Sequence, residues 1–307
     1  SQITRFLMFK IAYHPIYVYP TPKNHRFPME KYEMLPMQLI QHGIVSDEYF
    51  FEPTAQAVYD YTIHEEQYLE RFFTVQLSKK EERGSGFKQS KLLIEREIQI
   101  TNGTIEGAVS AIDYGVAFNI AGGTHHAFSN RPEGFCLLND QAIASMHLMA
   151  NGLAKKILIV DLDVHQGNGT AEILKEQPHI FTFSMHASSN YPLEKQTSDL
   201  DIPLPDHILA SDYLQLLSSN LEVLYREFRP DFTFFQAGVD ILGSDKLGRL
   251  NMSIQTCAER DAIVFKAAKA NNNPVMVTMG GGYSPDINTI LKAHCNTFEA
   301  ASEIMLD

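Results

Sequence analysis

Two acids and a histidine follow an unbroken apolar run near the middle of the chain. The sequence ILIV at residues 157–160 is followed by Asp161, Asp163 and His165, with glycines at 167 and 169. Side chains two residues apart in an extended segment share a face, so Asp163 and His165 could bind one ion, with Asp161 on the same side beneath them. The alternative is a buried strand followed by a helix cap, and this stretch alone does not distinguish the two.

Comparable groups of polar residues follow three other apolar runs. They are GGTHH at residues 122–126, GVD at residues 238–240 and GGGY at residues 280–283. The glycines would let the backbone approach a ligand closely. Each motif alone is typical of a turn, a surface histidine pair or a helix cap, whereas all of them in one chain indicate a shared site.

Asp163, His165 and Asp240 are the candidate metal ligands. They would supply two carboxylate oxygens and one imidazole nitrogen, and they would leave a coordination position open for water, as in catalytic zinc sites. Because no thiolate is among them, such a site would be catalytic rather than structural. The implied reaction is metal-assisted hydrolysis of an amide or ester.

Five further residues could transfer protons or stabilise charge beside such a metal. The pair His125 and His126 offers a general base for the attacking water. The Tyr283 hydroxyl, on a glycine-rich turn, could stabilise the oxyanion of a tetrahedral intermediate. Asp161 and Asn168 are the candidates for orienting the two imidazole rings.

The elements that would position these motifs alternate between strand and helix patterns. The strand candidates are residues 6–13, 115–120, 157–160, 179–183, 232–237 and 275–278. The helix candidates, where apolar residues recur at helical spacing, are residues 105–114, 138–149, 170–176, 209–228, 254–270 and 287–305. This alternation predicts a parallel sheet covered by helices on both faces, with ligands beyond the carboxyl ends of the strands. The polar stretch 78–90 is predicted to be an exposed loop.

Composition restricts the class of protein. A formal net charge of −12 argues against a nucleic-acid partner. The 3 cysteines include no C-x-x-C pair, which argues against a disulfide framework and favours a reducing, cytoplasmic setting, or a nuclear one in a eukaryote. No run approaches the ~20 apolar residues of a membrane span. We expect a single catalytic domain over residues 1–307, and no feature sets its oligomeric state.

The motifs resemble those of the zinc-dependent histone deacetylases, which have the arginase–deacetylase fold. In that family's order they are GTHHA at 123–127, GFCLLND at 134–140, DLDVHQGNG at 161–169, QAGVD at 236–240 and GGGY at 280–283. YHP at 13–15 and NHRFP at 24–28 extend the similarity, and NHRFP and DILGSDKLG at 240–248 are most similar to the class IV branch and its bacterial relatives. The resemblance implies an α/β fold with a mostly eight-stranded parallel sheet.

The resemblance also implies specific roles. Zinc would be bound by Asp163, His165 and Asp240. His126 would act as general base and then general acid, His125 would be an electrostatic partner held by Asp161, and Tyr283 would polarise the acyl carbonyl. Asn168 stands where many relatives carry aspartate, so the positive charge on His126 would be stabilised less.

Two further sites follow from the resemblance. A structural potassium ion beneath the zinc would take oxygen ligands from Asp161, Asp163, His165, Ser184 and Met185. An acyl-lysine tunnel would be lined by Gly134, Phe135, Tyr191, Leu247 and Gly281. For Phe135 and Tyr191 the alternative is an ordinary place among core aromatics.

Three functions stay open at this point. The leading interpretation is removal of acyl groups from lysine side chains of a protein or peptide, including the long acyl groups that class IV relatives accept. Deacetylation of small amines such as polyamines is the second, although Leu247 stands where polyamine-selective relatives carry an acid. A catalytically inactive acyl-lysine binding module is the third, and the retained ligands, histidines and tyrosine argue against it. Iron(II) would suit the same ligands as zinc.

Overall fold

The computed structural model describes residues 7–306, which form one parallel sheet and the helices around it. The strands are β1 (Lys10–Ala12), β2 (Phe50–Phe51), β3 (Val116–Asn119), β4 (Ile157–Asp161), β5 (Ile180–Ala187), β6 (Leu200–Leu204), β7 (Phe232–Gln236) and β8 (Val275–Thr278). The α-helices are α1 (Lys31–Gln41), α2 (Glu66–Phe73), α3 (Lys79–Ser85), α4 (Lys91–Tyr114), α5 (Asp140–Ala150), α6 (Asn168–Leu174), α7 (Ala210–Glu227), α8 (Ile254–Ala270) and α9 (Ile287–Met305). Short 3₁₀ turns occupy Pro15–Tyr17 and Asp47–Tyr49.

The sheet has 8 strands in the order β2-β1-β3-β8-β7-β4-β5-β6, and every neighbouring pair is parallel. All residues of β3, β4, β7 and β8 are buried, which agrees with their apolar sequences and requires cover on both faces. The predicted α/β architecture with one parallel sheet is confirmed. Because all strands run in the same direction, the residues that follow them converge at one edge of the sheet.

The strand predictions need three corrections, and the first is that the two-residue strand β2 was not expected. The run at residues 6–13 contains only the short strand β1, and its first residue, Phe6, lies outside the described part of the chain. The strand β6 was not expected, because its sequence LDIPL contains Pro203 and is mostly half-exposed. Proline is tolerated in β6 because this strand forms the edge of the sheet.

One predicted helix was too short and one predicted loop contains a helix, and α1 and α2 were not expected at all. The helix expected at residues 105–114 is the last part of α4, which begins after the N-cap Ser90, whose hydroxyl accepts from the Leu93 N–H. The expected loop at residues 78–90 contains α3, which starts with a reciprocal capping box between Ser78 and Glu81. The other five predicted helices appear within two residues of their expected ends.

Two general expectations can be compared with the described residues. Cys136, Cys257 and Cys295 are all buried and unpaired. Between residues 7 and 306, no helix is long and apolar enough to span a bilayer.

Candidate active site

The candidate metal ligands come together at the ends of two neighbouring strands. Asp163 and His165 lie in the turn after β4, and Asp240 lies just beyond β7, which pairs with β4. His165 Nδ1 is 3.1 Å from Asp163 Oδ1 and 3.2 Å from Asp240 Oδ2. All three side chains are buried, and their ligand atoms lie within 4.8 Å of one another. The sheet thus brings together residues 75 positions apart in the sequence.

The chemistry of this cluster fits a bound divalent cation. Burial and the facing carboxylate of Asp163 raise the pKa of Asp240 to about 7. Two buried carboxylates this close together repel each other unless a cation or protons neutralise them. Two oxygen donors and one imidazole nitrogen, without a thiolate, form the donor set of catalytic zinc and iron sites. These residues therefore fit such an ion.

Backbone donors fix the orientation of both carboxylates. Asp163 Oδ2 accepts from the Gly281 N–H at 2.8 Å, and Asp240 Oδ1 accepts from the Val164 N–H at 2.9 Å. A buried arginine of α8 holds the loops themselves, since Arg260 Nη1 donates to the Gly238 carbonyl at 2.5 Å. Each ligand is therefore positioned by contacts from a different part of the chain, as a preorganised metal site requires.

The first histidine of the pair is bound to an acid. His125 Nδ1 lies 2.7 Å from Asp161 Oδ2, and Nε2 lies 3.7 Å from Asp163 Oδ1. Burial lowers the pKa of this imidazole, but the carboxylates of Asp161 and Asp163 outweigh it and raise the pKa to about 9. The Asp161 carboxylate therefore favours the protonated, cationic form of His125.

The second histidine has a different environment. His126 Nδ1 lies 2.6 Å from Asn168 Oδ1, and because an amide oxygen can only accept, Nδ1 carries the proton of the neutral ring. Burial and the positive charge of the neighbouring His125 hold the pKa of His126 well below its usual range. A neutral imidazole with a free nitrogen is the protonation state that a general base requires.

Tyr283 lies on the loop after β8 and lines the cavity that also contains His126 and His165. Its backbone N–H donates to Asp245 Oδ2 at 2.7 Å, which fixes the loop. Burial and the carboxylates of Asp240 and Asp163 hold the pKa of Tyr283 well above its usual value. The hydroxyl therefore keeps its proton and can donate a hydrogen bond to an oxyanion.

The residues expected to form a tunnel line one cavity of about 500 Å³ above the metal ligands. Its lining includes Gly134, Phe135, Tyr191 and Leu247. The Tyr191 ring packs edge-on against the His126 ring, with ring centroids 5.0 Å apart. Gly134 must be glycine here, because it has a φ of +50° and a Cβ would lie 2.7 Å from His126 Cδ2. Gly281 lies deeper, against the ligand carboxylates.

Of the residues expected to hold potassium, Asp161, Ser184 and Met185 lie on two neighbouring strands, and Asp163 and His165 lie in the turn after β4. Ser184 of β5 is opposite Asp161 of β4 in the parallel pairing, and Met185 follows it. All three are buried. Ser184 Oγ also lies 2.9 Å from His186 Nδ1. The arrangement brings these oxygen donors together, and the potassium ion itself stays a prediction.

Several residues that organise the site were not singled out from the sequence. Asp140 accepts from the backbone N–H groups of Gly123 and Thr124 and so holds the loop that carries the histidine pair. Asp245 does the same for the Tyr283 loop. Both acids lie inside motifs that were recognised, so their positions could have suggested a role. The side-chain contacts of Glu133, described below, have no comparable signal.

Comparisons with known proteins agree with this geometry. A sequence profile described as "Histone deacetylase domain" matches residues 25–298. An uncharacterised protein of Picosynechococcus sp. is 40% identical over 297 residues, covering 96% of this chain and 99% of that protein. Histone deacetylase 2 of Arabidopsis thaliana is 30% identical over 272 residues, covering 85% of this chain and 70% of that protein. The crystal structure of a histone deacetylase homologue from Aquifex aeolicus matches with a TM-score of 0.83 and 25% identity, covering 96% of this chain and 84% of that one.

Proposed function

The chain belongs to the histone deacetylase family, and from this premise we propose that it hydrolyses the amide bond of acylated lysine side chains in proteins or peptides. The observation that carries the proposal is a single cavity shared by Asp163, His165, His126 and Tyr283. This arrangement combines a metal-ligand cluster, a neutral imidazole and a protonated phenol. We further propose that the chain forms one catalytic domain.

Zinc is the metal proposed for Asp163, His165 and Asp240. When bound, it would lower the pKa of a coordinated water toward about 7 and polarise the acyl carbonyl. Iron(II) suits the same donor set, so the native ion is a question for metal analysis. The potassium proposed beside Asp161 and Ser184 would have a structural role.

His126 is proposed to take the proton of the attacking water at Nε2 and to pass it to the leaving amine. Its other nitrogen is occupied by the hydrogen bond to Asn168 Oδ1, which fixes the ring and the tautomer. His125 is proposed to remain a cation held by Asp161 and to stabilise the negative charge that develops beside it.

Tyr283 is proposed to donate a hydrogen bond to the acyl oxygen as negative charge develops there. The methylene stem of the substrate lysine would pass between Phe135 and Tyr191, whose rings suit an apolar chain. Beneath them, an inner cavity of about 40 Å³ lies next to Tyr283 and Cys136. This volume accommodates only a few water-sized groups, so we expect acetyl and other short acyl groups to be preferred over long ones.

The test is turnover of a panel of acyl-lysine peptides, from acetyl to myristoyl, with acetylated polyamines alongside. The zinc-loaded wild type should hydrolyse acetyl-lysine peptides, and the His126→Ala variant should be the inactive comparator. Turnover of the polyamines alone would favour the small-amine alternative. If the metal-loaded protein binds acyl-lysine peptides but hydrolyses none, the catalytic proposal is wrong and the binding-module alternative applies.

A further inference from the structure

Asn168 connects His126 to a carboxylate that no motif pointed to. Asn168 Oδ1 lies 2.6 Å from His126 Nδ1, and Asn168 Nδ2 donates to Glu133 Oε2 at 3.2 Å. Asn168 is buried, whereas Glu133 is half-buried and directly precedes Gly134, which lines the substrate cavity. The three residues therefore form a continuous chain of hydrogen bonds from the general base to a half-buried carboxylate.

The direction of these hydrogen bonds follows from the chemistry of Glu133. An ionised carboxylate only accepts hydrogen bonds, so the Asn168 atom that faces it must be the amide nitrogen. The carbonyl oxygen of Asn168 must then face His126, and it can only accept a proton from Nδ1. The Gly169 N–H, which donates to Asn168 Oδ1 at 3.0 Å, supports the same orientation. With the proton on Nδ1, His126 Nε2 is free to act as a base.

The opposite orientation would disable the base. If the Asn168 amide rotated by a half-turn, its NH₂ group would face Nδ1 and would favour the tautomer with the proton on Nε2. That tautomer cannot accept a proton from water at Nε2. An aspartate at position 168 would not have two unequal orientations, because both of its carboxylate oxygens accept hydrogen bonds. The asparagine therefore requires a partner that fixes its orientation.

Glu133 is itself firmly held. The Tyr191 hydroxyl donates to Oε2 at 2.7 Å, and Arg131 Nε donates to Oε1 at 3.0 Å. The backbone of Glu133 exchanges two hydrogen bonds with Cys136, at 3.1 and 2.8 Å. These contacts fix the position of the carboxylate. Only the amide group of Asn168 separates its negative charge from the His126 ring.

We propose that Glu133 is a positioning residue that sets the tautomer of His126 through Asn168 and supplies the negative charge that asparagine lacks. The proposal rests on the proposed function, because it assigns the general base to His126. It predicts a specific dependence: Glu133 is needed when residue 168 is asparagine and dispensable when residue 168 is aspartate.

A double-mutant cycle measures that dependence. Glu133→Ala should lower kcat about tenfold in the wild-type background, a part of the 10²–10⁴-fold contribution of a general base. In the Asn168→Asp background the same substitution should not lower kcat, because the aspartate alone fixes Nδ1–H and Glu133 would only repel its second oxygen, which takes the place of an Asn168 atom 3.2 Å from Oε2. In the wild-type background, Glu133→Gln should lower kcat less than Glu133→Ala does, because its amide oxygen can still accept from Asn168 Nδ2. Glu106→Ala removes a half-buried glutamate that, like Glu133, accepts from a tyrosine hydroxyl, here that of Tyr59, but does not contact Asn168; it is the matched control and should leave kcat unchanged.

A second readout does not depend on activity. Long-range ¹H–¹⁵N correlation spectra of the metal-loaded protein report which ring nitrogen of His126 carries the proton, with His126→Ala giving the assignment. We expect Nδ1–H in the wild type and an increased Nε2–H population in Glu133→Ala. An unchanged tautomer in Glu133→Ala, or an equal loss of kcat in both backgrounds, would overturn the proposal. A wild type that turns over no substrate contradicts the proposed function instead, and the spectra then decide the role of Glu133.

Discussion

Gly281 offers a sharp test of the metal cluster, because its missing side chain leaves room for two ligand carboxylates. A Cβ added at this position would lie 2.0 Å from Asp240 Oδ2 and 2.9 Å from Asp163 Oδ2. The backbone of Gly281 is not in the left-handed region, so alanine would be strained only by these contacts. Ordinary carbon–oxygen contact needs roughly 3.5 Å, so Gly281→Ala must move the Asp240 carboxylate by about 1.5 Å.

A displacement of this size is large for a metal site. Ligand distances are maintained within about 0.2 Å, and a 1 Å misplacement of a catalytic group can lower the rate about 10²-fold. We therefore expect Gly281→Ala to lose most of its bound metal and at least about 10²-fold in kcat/KM. The assay is elemental analysis of the dialysed protein together with turnover of an acetyl-lysine peptide.

The control is a glycine whose substitution affects stability alone. Gly152 has a φ of +66° and no atom within 4 Å of an added Cβ, and it lies just after α5, away from the site. Gly152→Ala should cost about 1 kcal/mol of stability, through backbone strain, and should leave metal content and kcat/KM unchanged. Wild-type metal content and turnover in Gly281→Ala would refute the assignment of Asp163 and Asp240 as ligands of one ion.

Three further predictions concern the proton-transfer residues and the pH dependence of stability. His126→Ala should lower kcat by about 10²–10⁴-fold with metal retained, and His125→Ala should lower kcat less. Steady-state kinetics measure both variants, and the reverse order would contradict the assignment of the base. Tyr283→Phe should lower kcat about 10²–10³-fold with a smaller change in KM, and a near wild-type kcat would exclude its oxyanion role. Burial lowers the pKa of His64 to about 4, and its Nε2 accepts from the Asn139 N–H. As the pH falls from 6.5 to 4, the unfolded chain therefore binds a proton at this residue before the folded protein does. Denaturant titrations across that range should show a loss of stability that is about 3 kcal/mol smaller in His64→Gln, since other buried histidines such as His186 keep their share of the loss, and identical pH profiles would contradict the linkage.

The ends of the central strands could be predicted because their signals are local. An apolar run that ends in Asp, His or glycine identifies both the strand and the polar residues that follow it. Strands β3, β4, β7 and β8 follow this pattern, and the site lies at their carboxyl ends. Asp163 and Asp240 then come together because β4 and β7 are neighbours in the sheet, an adjacency that the sequence did not predict.

Helix α4 shows why other parts could not be predicted. Its first half buries Arg96, Glu97, Gln99 and Asn102, so the apolar periodicity expected of an amphipathic helix is lost there. These side chains are satisfied by distant partners, such as the Tyr17 carbonyl that accepts from Arg96 Nε at 2.7 Å. Such partners are known only once the chain has folded.

The role proposed for Glu133 has the same character. Its partners Asn168 and Tyr191 are 35 and 58 positions away in the sequence. Nothing in the local sequence around residue 133 distinguishes this glutamate from a surface acid. The sequence did indicate that Asn168 occupies a position where many relatives carry aspartate. The structure adds that the amide nitrogen of Asn168 donates to the Glu133 carboxylate.

The central claim is that Asp163, His165 and Asp240 hold one metal ion on which amide hydrolysis depends. The most direct test is the metal content of the wild type, Asp163→Ala and Asp240→Ala, measured by elemental analysis beside turnover of an acetyl-lysine peptide. We predict about one metal ion per chain in the wild type, with activity removed by a chelator and restored by zinc, and neither metal nor activity in the two variants. Full activity of the metal-free wild type, or a full complement of metal in both variants, would contradict this account.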